Sequence, residues 1–172
     1  MKRMLAIFLA VLAAGCASVQ VQDYKAEQPK LDLATYFNGT IDGWGMVQER
    51  SGKVTRRFHV VIEAKWNGDT GVLDESFDWS DGKKEKRVWT ITKSGDRYTG
   101  AAGDVVGTAA GEASGNTLCW NYILALPVDG TTYHVDMDDW MYLIDGNTLG
   151  NQTKLSKFGV KLAEITIFFR KR

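Results

Sequence analysis

Glu75, Arg87, Arg56 and Asp139 are charged, yet each keeps step with the apolar residues of its own segment. Glu75 alternates with Leu73, Phe77 and Trp79. Arg87 precedes Trp89 and Ile91 at two-residue spacing, and Arg56 lies between Val54 and Phe58. Asp139 shares its parity with Tyr133, Val135, Met137, Met141 and Leu143, while Gln48 follows Trp44 and Met46 in the same rhythm. A carboxylate on an apolar face is costly unless it is paired or hydrogen-bonded. Two carboxylates and two arginines so placed have two uses. They form a structural network that reaches water near a rim, or they are polar anchors in an otherwise aromatic chamber. Ligand pockets are built in the second way, with apolar walls and a few polar groups that orient the guest. Six Trp, six Tyr and seven Phe supply wall material. Trp44, Gln48, Arg56, Glu75, Arg87 and Asp139 are therefore the candidate ligand-binding residues.

Other chemistry finds less support. His134, Asp136 and Asp138 alternate along "HVDMDDWMYLIDGN" and would share one face. Calcium and magnesium sites gather oxygens from loops, and zinc sites want more histidine or cysteine. That face is read as solvated, and neither a metal nor a cofactor is expected. Only two histidines occur, with no Gly-x-Ser-x-Gly and no phosphate loop, so no catalytic set is assigned. An interior Glu75 or Asp139 could still act as acid or base in an isomerase, hydratase or hydrolase. Asp139 itself has two placements open. It points into the interior, or it marks a β-bulge that turns Trp140, Tyr142 and Ile144 inward instead.

The segments that carry these residues read as strands. Ser51-Gly52, Asn67-Gly68, Asp81-Gly82, Ser94-Gly95, Ser114-Gly115, Asp129-Gly130 and Asp145-Gly146 punctuate the chain with hairpin chemistry. Between them "VTRRFHVVIEAKW" and "LCWNYILAL" alternate with period two, and only Leu31 to Phe37 suggests a helical turn. Eight to ten antiparallel strands joined to their sequence neighbours close on themselves to remove their edges. The expected fold is all-β: a single up-and-down, lipocalin-like antiparallel barrel over residues 34–172. Charges such as Arg57, Glu63, Lys65, Lys84 and Lys86 on the outer faces speak against a barrel embedded in lipid.

The chain starts differently. Lys2 and Arg3 precede the apolar run "MLAIFLAVLAAG", which is too short to span a bilayer and fits a signal-peptide core. "LAAGC" at its end resembles the lipobox of bacterial lipoproteins, whose cysteine is acylated and becomes the mature N-terminus. Residues 1–15 are then a leader, Cys16 the lipidation site and 16–33 a polar tether. Ala17, rather than aspartate, after that cysteine implies the outer membrane, with the domain facing the periplasm. Acyl chains hold such a protein on its membrane almost irreversibly. Loss of Lys2 and Arg3 from a chain with 21 bases and 21 acids leaves a slight acidic excess. No basic stripe is present, so nucleic acid is not expected as a partner. Cys119 has no mate once Cys16 is acylated and is read as a small apolar filler.

The blocks "YFNGTIDGWGMVQERSGKV", "GDTGVLDESFDWSDG", "RVWTIT", "LPVDGTTYHVDMDDWMYLIDGN" and "KFGVKLAEITIFFRK" resemble domain-of-unknown-function family 3833, a family of proteobacterial lipoproteins. The resemblance runs from about Leu31 to Lys171. It implies an envelope lipoprotein with a lipocalin-like barrel and brings no catalytic residues. A looser similarity to lipocalins and fatty-acid-binding proteins implies that Trp44 and Arg170 stack by cation–π contact across the barrel floor, although Asp42 stands where lipocalins have glycine. Three functions follow as expectations: a binder of an apolar or amphipathic, lipid-like molecule; a scaffolding lipoprotein with a solid barrel that binds another envelope protein; and an enzyme using an interior carboxylate.

Overall fold

The computed structural model describes residues 18–172. The leader 1–15 and the lipidation site Cys16 lie outside the described residues. Ten strands follow one another in order: β1 (Gly39–Glu49), β2 (Val54–Asn67), β3 (Thr70–Trp79), β4 (Lys84–Ser94), β5 (Arg97–Ala101), β6 (Val105–Ser114), β7 (Thr117–Val128), β8 (Thr131–Leu143), β9 (Thr148–Lys157) and β10 (Val160–Lys171). Each pairs antiparallel with its neighbours, and β10 returns to β1, so the sheet is a closed up-and-down barrel. Ten strands is the upper end of the expected range. The turn pairs fall where hairpins occur, and two connections carry no such signal. One is Ala102–Asp104; the other is Phe158-Gly159, where Phe158 itself adopts φ 51°.

Alternation sets the inside of the wall. Phe58, Val60, Ile62 and Ala64 of β2 are buried, as are Leu118, Trp120 and Leu124 of β7 and Val135, Met137, Asp139 and Leu143 of β8. β1 breaks the expectation. Its buried positions are Ile41, Gly43 and Gly45, and Trp44 points outward, half exposed against the His59 ring. The reason is volume: a Cβ on Gly45 would stand 2.1 Å from the Phe58 ring, and one on Gly43 2.7 Å from Phe169 and Val60. Large rings on β2 and β10 fill the interior, so β1 yields its inner face to glycine. Arg170 is likewise exposed, and the Trp44–Arg170 stack is not formed. The terminal-strand cation over the floor is Lys171, 5.8 Å from the Tyr36 ring.

The stretch before the barrel packs on it instead of standing off as a tether. A 3₁₀ turn, Val21–Tyr24, lies on the outside of β6 and β7. Tyr24 meets Trp140 and Tyr142 with ring centroids 6.3 and 5.7 Å apart, and Gln22 donates to Glu112 at 2.8 Å. Gly115 is needed here, because a Cβ would come within 1.8 Å of the Tyr24 carbonyl oxygen. The chain then crosses one barrel end. Asp32 caps the single-turn helix α1 (Leu33–Tyr36) by accepting from Ala34 N at 3.0 Å, and also accepts from Lys93 Nζ at 2.7 Å and Tyr98 Oη at 3.0 Å. Trp66 Nε1 donates to Phe37 O at 2.8 Å, and Tyr36 Oη to Asn147 O at 3.0 Å. These bonds seat Leu31, Leu33, Tyr36 and Phe37, all nearly fully buried, as a plug. The other end is ringed by the hairpins after β1, β3, β7 and β9 and the loop after β5.

Candidate functional site

A chamber of about 640 Å³ occupies the barrel axis. Leu33 and Phe37 of the plug form its floor, and Phe58, Trp79, Trp89, Trp120 and Tyr122 lie around its wall. The rings brace one another. Trp89 meets Trp120 edge-on at 5.8 Å and Tyr122 at 5.4 Å, and Phe58 lies 4.8 Å from Trp79. Leu124, Met137 and Leu155 line the opposite side above Asp139.

The interior charges divide into two sets. Every cation lining the chamber already faces an acid. Arg56 reaches Asp81 at 2.8 Å while stacking 3.8 Å over the Trp79 ring, and Arg87 donates Nε to Asp104 Oδ2 at 3.0 Å. Lys83 pairs with Glu85, and Lys86 lies 3.7 Å from Asp74. Among the described residues Glu75 and Asp139 have no such cation. Glu75 is the register partner of Arg87 across β3 and β4, but the guanidinium turns to Asp104 instead. Glu75 makes no hydrogen bond among the described residues; it is partly exposed and lines the chamber. Burial pushes its carboxyl up to about 7, against the pull of Arg87. Asp139, 8% exposed, points inward without any bulge, since its register with β7 and β9 is unbroken. Asn151 Nδ2 and Thr153 Oγ1, the latter at 3.0 Å, both donate to its Oδ1, and Oδ2 accepts nothing among the described residues. Burial lifts this carboxyl to about 6, although those two donors favour the ionised form. Burial opposes the charge of Arg87, but Glu75, Tyr122 and Asp104 more than restore it. Tyr122, enclosed beside these acids, has its hydroxyl raised above the ordinary phenol range by burial and by Asp139.

Arg56, Glu75, Arg87 and Asp139 are thus brought together, and Trp44 and Gln48 are not. Trp44 is on the outer face. Gln48 follows a slip in the β1–β2 ladder and donates to Gly52 O at 3.3 Å in the hairpin. Asp104, Asn151 and Thr153 also belong to the chamber, beyond the six candidates of the sequence. Asn151 and Thr153 keep step with Leu149 and Leu155, so that signal was present in the alternation. Asp104 arrives on a loop, where alternation gives no direction. Asp136 and Asp138 face outward, Asp138 accepting from Trp140 Nε1 at 2.9 Å. Among the described residues no group of His, Cys, Asp and Glu is placed to hold a metal ion.

The sequence from residue 10 to 171 matches the family model described as "Protein of unknown function (DUF3833)". The chain belongs to that family. No curated protein matches it significantly. Its barrel is similar to that of a protein of unknown function from the DUF3598 family of Nostoc punctiforme, with a TM-score of 0.59 at 12% identity over 86% of this chain and 51% of that one. This chain therefore spans about half the length of that relative. It is also similar to the S-type phycobiliprotein lyase of Guillardia theta, with a TM-score of 0.56 at 5% identity over 78% of this chain and 88% of the lyase. At such identities the likeness concerns the fold.

Proposed function

We propose that this DUF3833 protein binds a small apolar or amphipathic molecule inside its barrel. The observation that carries the reading is the chamber: about 640 Å³, plugged at one end, open at the other, with aromatic and aliphatic walls and a few polar groups. Its size and lining are those of small-molecule sites, which span roughly 300–1,000 Å³. A scaffolding protein with a solid barrel would have no such space. The leader and Cys16 support an acylated protein at the outer membrane facing the periplasm, where a lipid-like guest is the natural supply.

The test is native mass spectrometry of the purified protein for a co-purifying lipid, together with displacement of a hydrophobic fluorophore. Ala163→Trp, at a half-buried lining position on β10, should lower fluorophore affinity about tenfold or more by filling the chamber. Its melting temperature should stay close to that of the parent. Absence of both lipid and fluorophore binding would refute the reading.

A further inference from the structure

We propose that the guest carries a cationic ammonium head, seated between Glu75 and Asp139 against the rings of Trp89 and Tyr122. The inference rests on the binding function above and adds the chemical class of the ligand.

The four cations lining the chamber pair with Asp81, Glu85, Asp74 and Asp104, which leaves Glu75 and Asp139 without an ion-pair partner among the described residues. Among the described residues Arg87 is the cation across from Glu75, and its guanidinium donates to Asp104. Asp139 receives both of its hydrogen bonds on Oδ1, so Oδ2 of a residue more than nine-tenths buried lines the chamber without a partner. Trp120 pairs with Asp139 in the β7–β8 ladder, but its ring leans the other way, over Gly111 and Gly100 of β6 and β5. The aromatic ring whose hydroxyl feels Asp139 and Glu75 is that of Tyr122, which Trp89 meets edge-on at 5.4 Å. Carboxylates with ring faces form the chemistry that recognises ammonium groups. A free fatty acid would instead bring a further carboxylate beside two acids that have no ion-pair partner. A neutral head would leave both acids without an ion-pair partner of their own. An ammonium group answers both and favours their ionised forms. The titratable groups around the pair are Arg87 on β4, Asp104 on the loop after β5 and Tyr122 on β7; Asp74 and Asp138 lie on the outward faces of the acids' own strands.

The experiment compares three probes of one chain length with the purified full chain, below their micelle concentrations: dodecyltrimethylammonium, dodecanol and dodecanoate. Calorimetry and quenching of the chamber tryptophans near pH 8 should rank the ammonium probe at least about tenfold tighter than dodecanoate. Its affinity should rise from near pH 5 to near pH 8, because protons and the ammonium compete for the same two acids. On the unaltered protein near pH 6.5, ammonium binding should release protons, seen as a dependence of the measured heat on buffer ionisation enthalpy. Glu75→Gln and Asp139→Asn should each reduce the preference for the ammonium probe over dodecanol. Equal or tighter binding of dodecanoate would overturn the proposal, as would ammonium binding without proton release. If dodecanol and dodecanoate bind while the ammonium probe has no advantage, the ligand class falls and the binding function stands; if no probe binds, both fall.

Discussion

Glu75 shows how one residue couples stability to pH. In the folded chain its carboxyl titrates near 7, against an ordinary 4.5, because burial disfavours the charge. The folded state therefore holds a proton that the unfolded chain has already released between about pH 4.5 and 7. Stability must fall as pH rises through that window, and Asp139 adds the same trend up to about pH 6. Glu75→Gln removes the charge and keeps the shape. Near pH 8, without ligand, it should be more stable than the parent by about 1–3 kcal/mol, since a tenfold change in proton affinity on folding is worth about 1.4 kcal/mol. Near pH 4.5 the two should agree within about 0.5 kcal/mol. Urea denaturation at both pH values reads this directly. A less stable variant near pH 8 would mean that Glu75 is ionised and held by Arg87. Both acids were visible in the sequence as charges in step with apolar neighbours. That Arg87 would turn to Asp104 was not visible, because a loop brings that acid in from outside the ladder.

At the scale of an element, β1 is the instructive case. Its alternation is real, but tryptophan, methionine and glutamine occupy the outer face and glycines the inner one. A pattern of residue types cannot distinguish an inward ring from an outward one when the partner strand supplies the bulk. Phe58 provides that bulk, so Gly45→Ala should overpack the wall and cost about 1–3 kcal/mol in denaturant titration. In a Phe58→Ala background the same change should cost much less, which a double-mutant cycle measures. β8 reads more simply. Its continuous register keeps Asp139 inside and leaves Trp140 and Tyr142 to be covered by Tyr24. The plug was legible only as a helical turn near Leu31 to Phe37. Its clasp on Asp32 joins Lys93 and Tyr98 across more than sixty positions of sequence, which local spacing does not reveal.

For the whole molecule, the closed barrel was legible because hairpin signals recur at regular intervals and a sheet of this length closes to remove its edges. The packed N-terminal stretch was not, since its polar composition resembles that of a linker and its contacts are with β6, β7 and β8. This bears on the proposed acylation of Cys16. The chain is already fixed to the barrel from Val21, so Cys16→Ser should move the protein from the membrane pellet to the soluble fraction without changing its melting temperature. Retention in the pellet would remove the lipid anchor from the account. Plugging one end has a kinetic corollary as well. A vessel with a single doorway admits and discharges its guest over the same barrier, so whatever narrows that doorway slows arrival and departure by equal factors. Residence time can then be tuned at the lip while the equilibrium occupancy, set deep among the acids and rings, stays where it was.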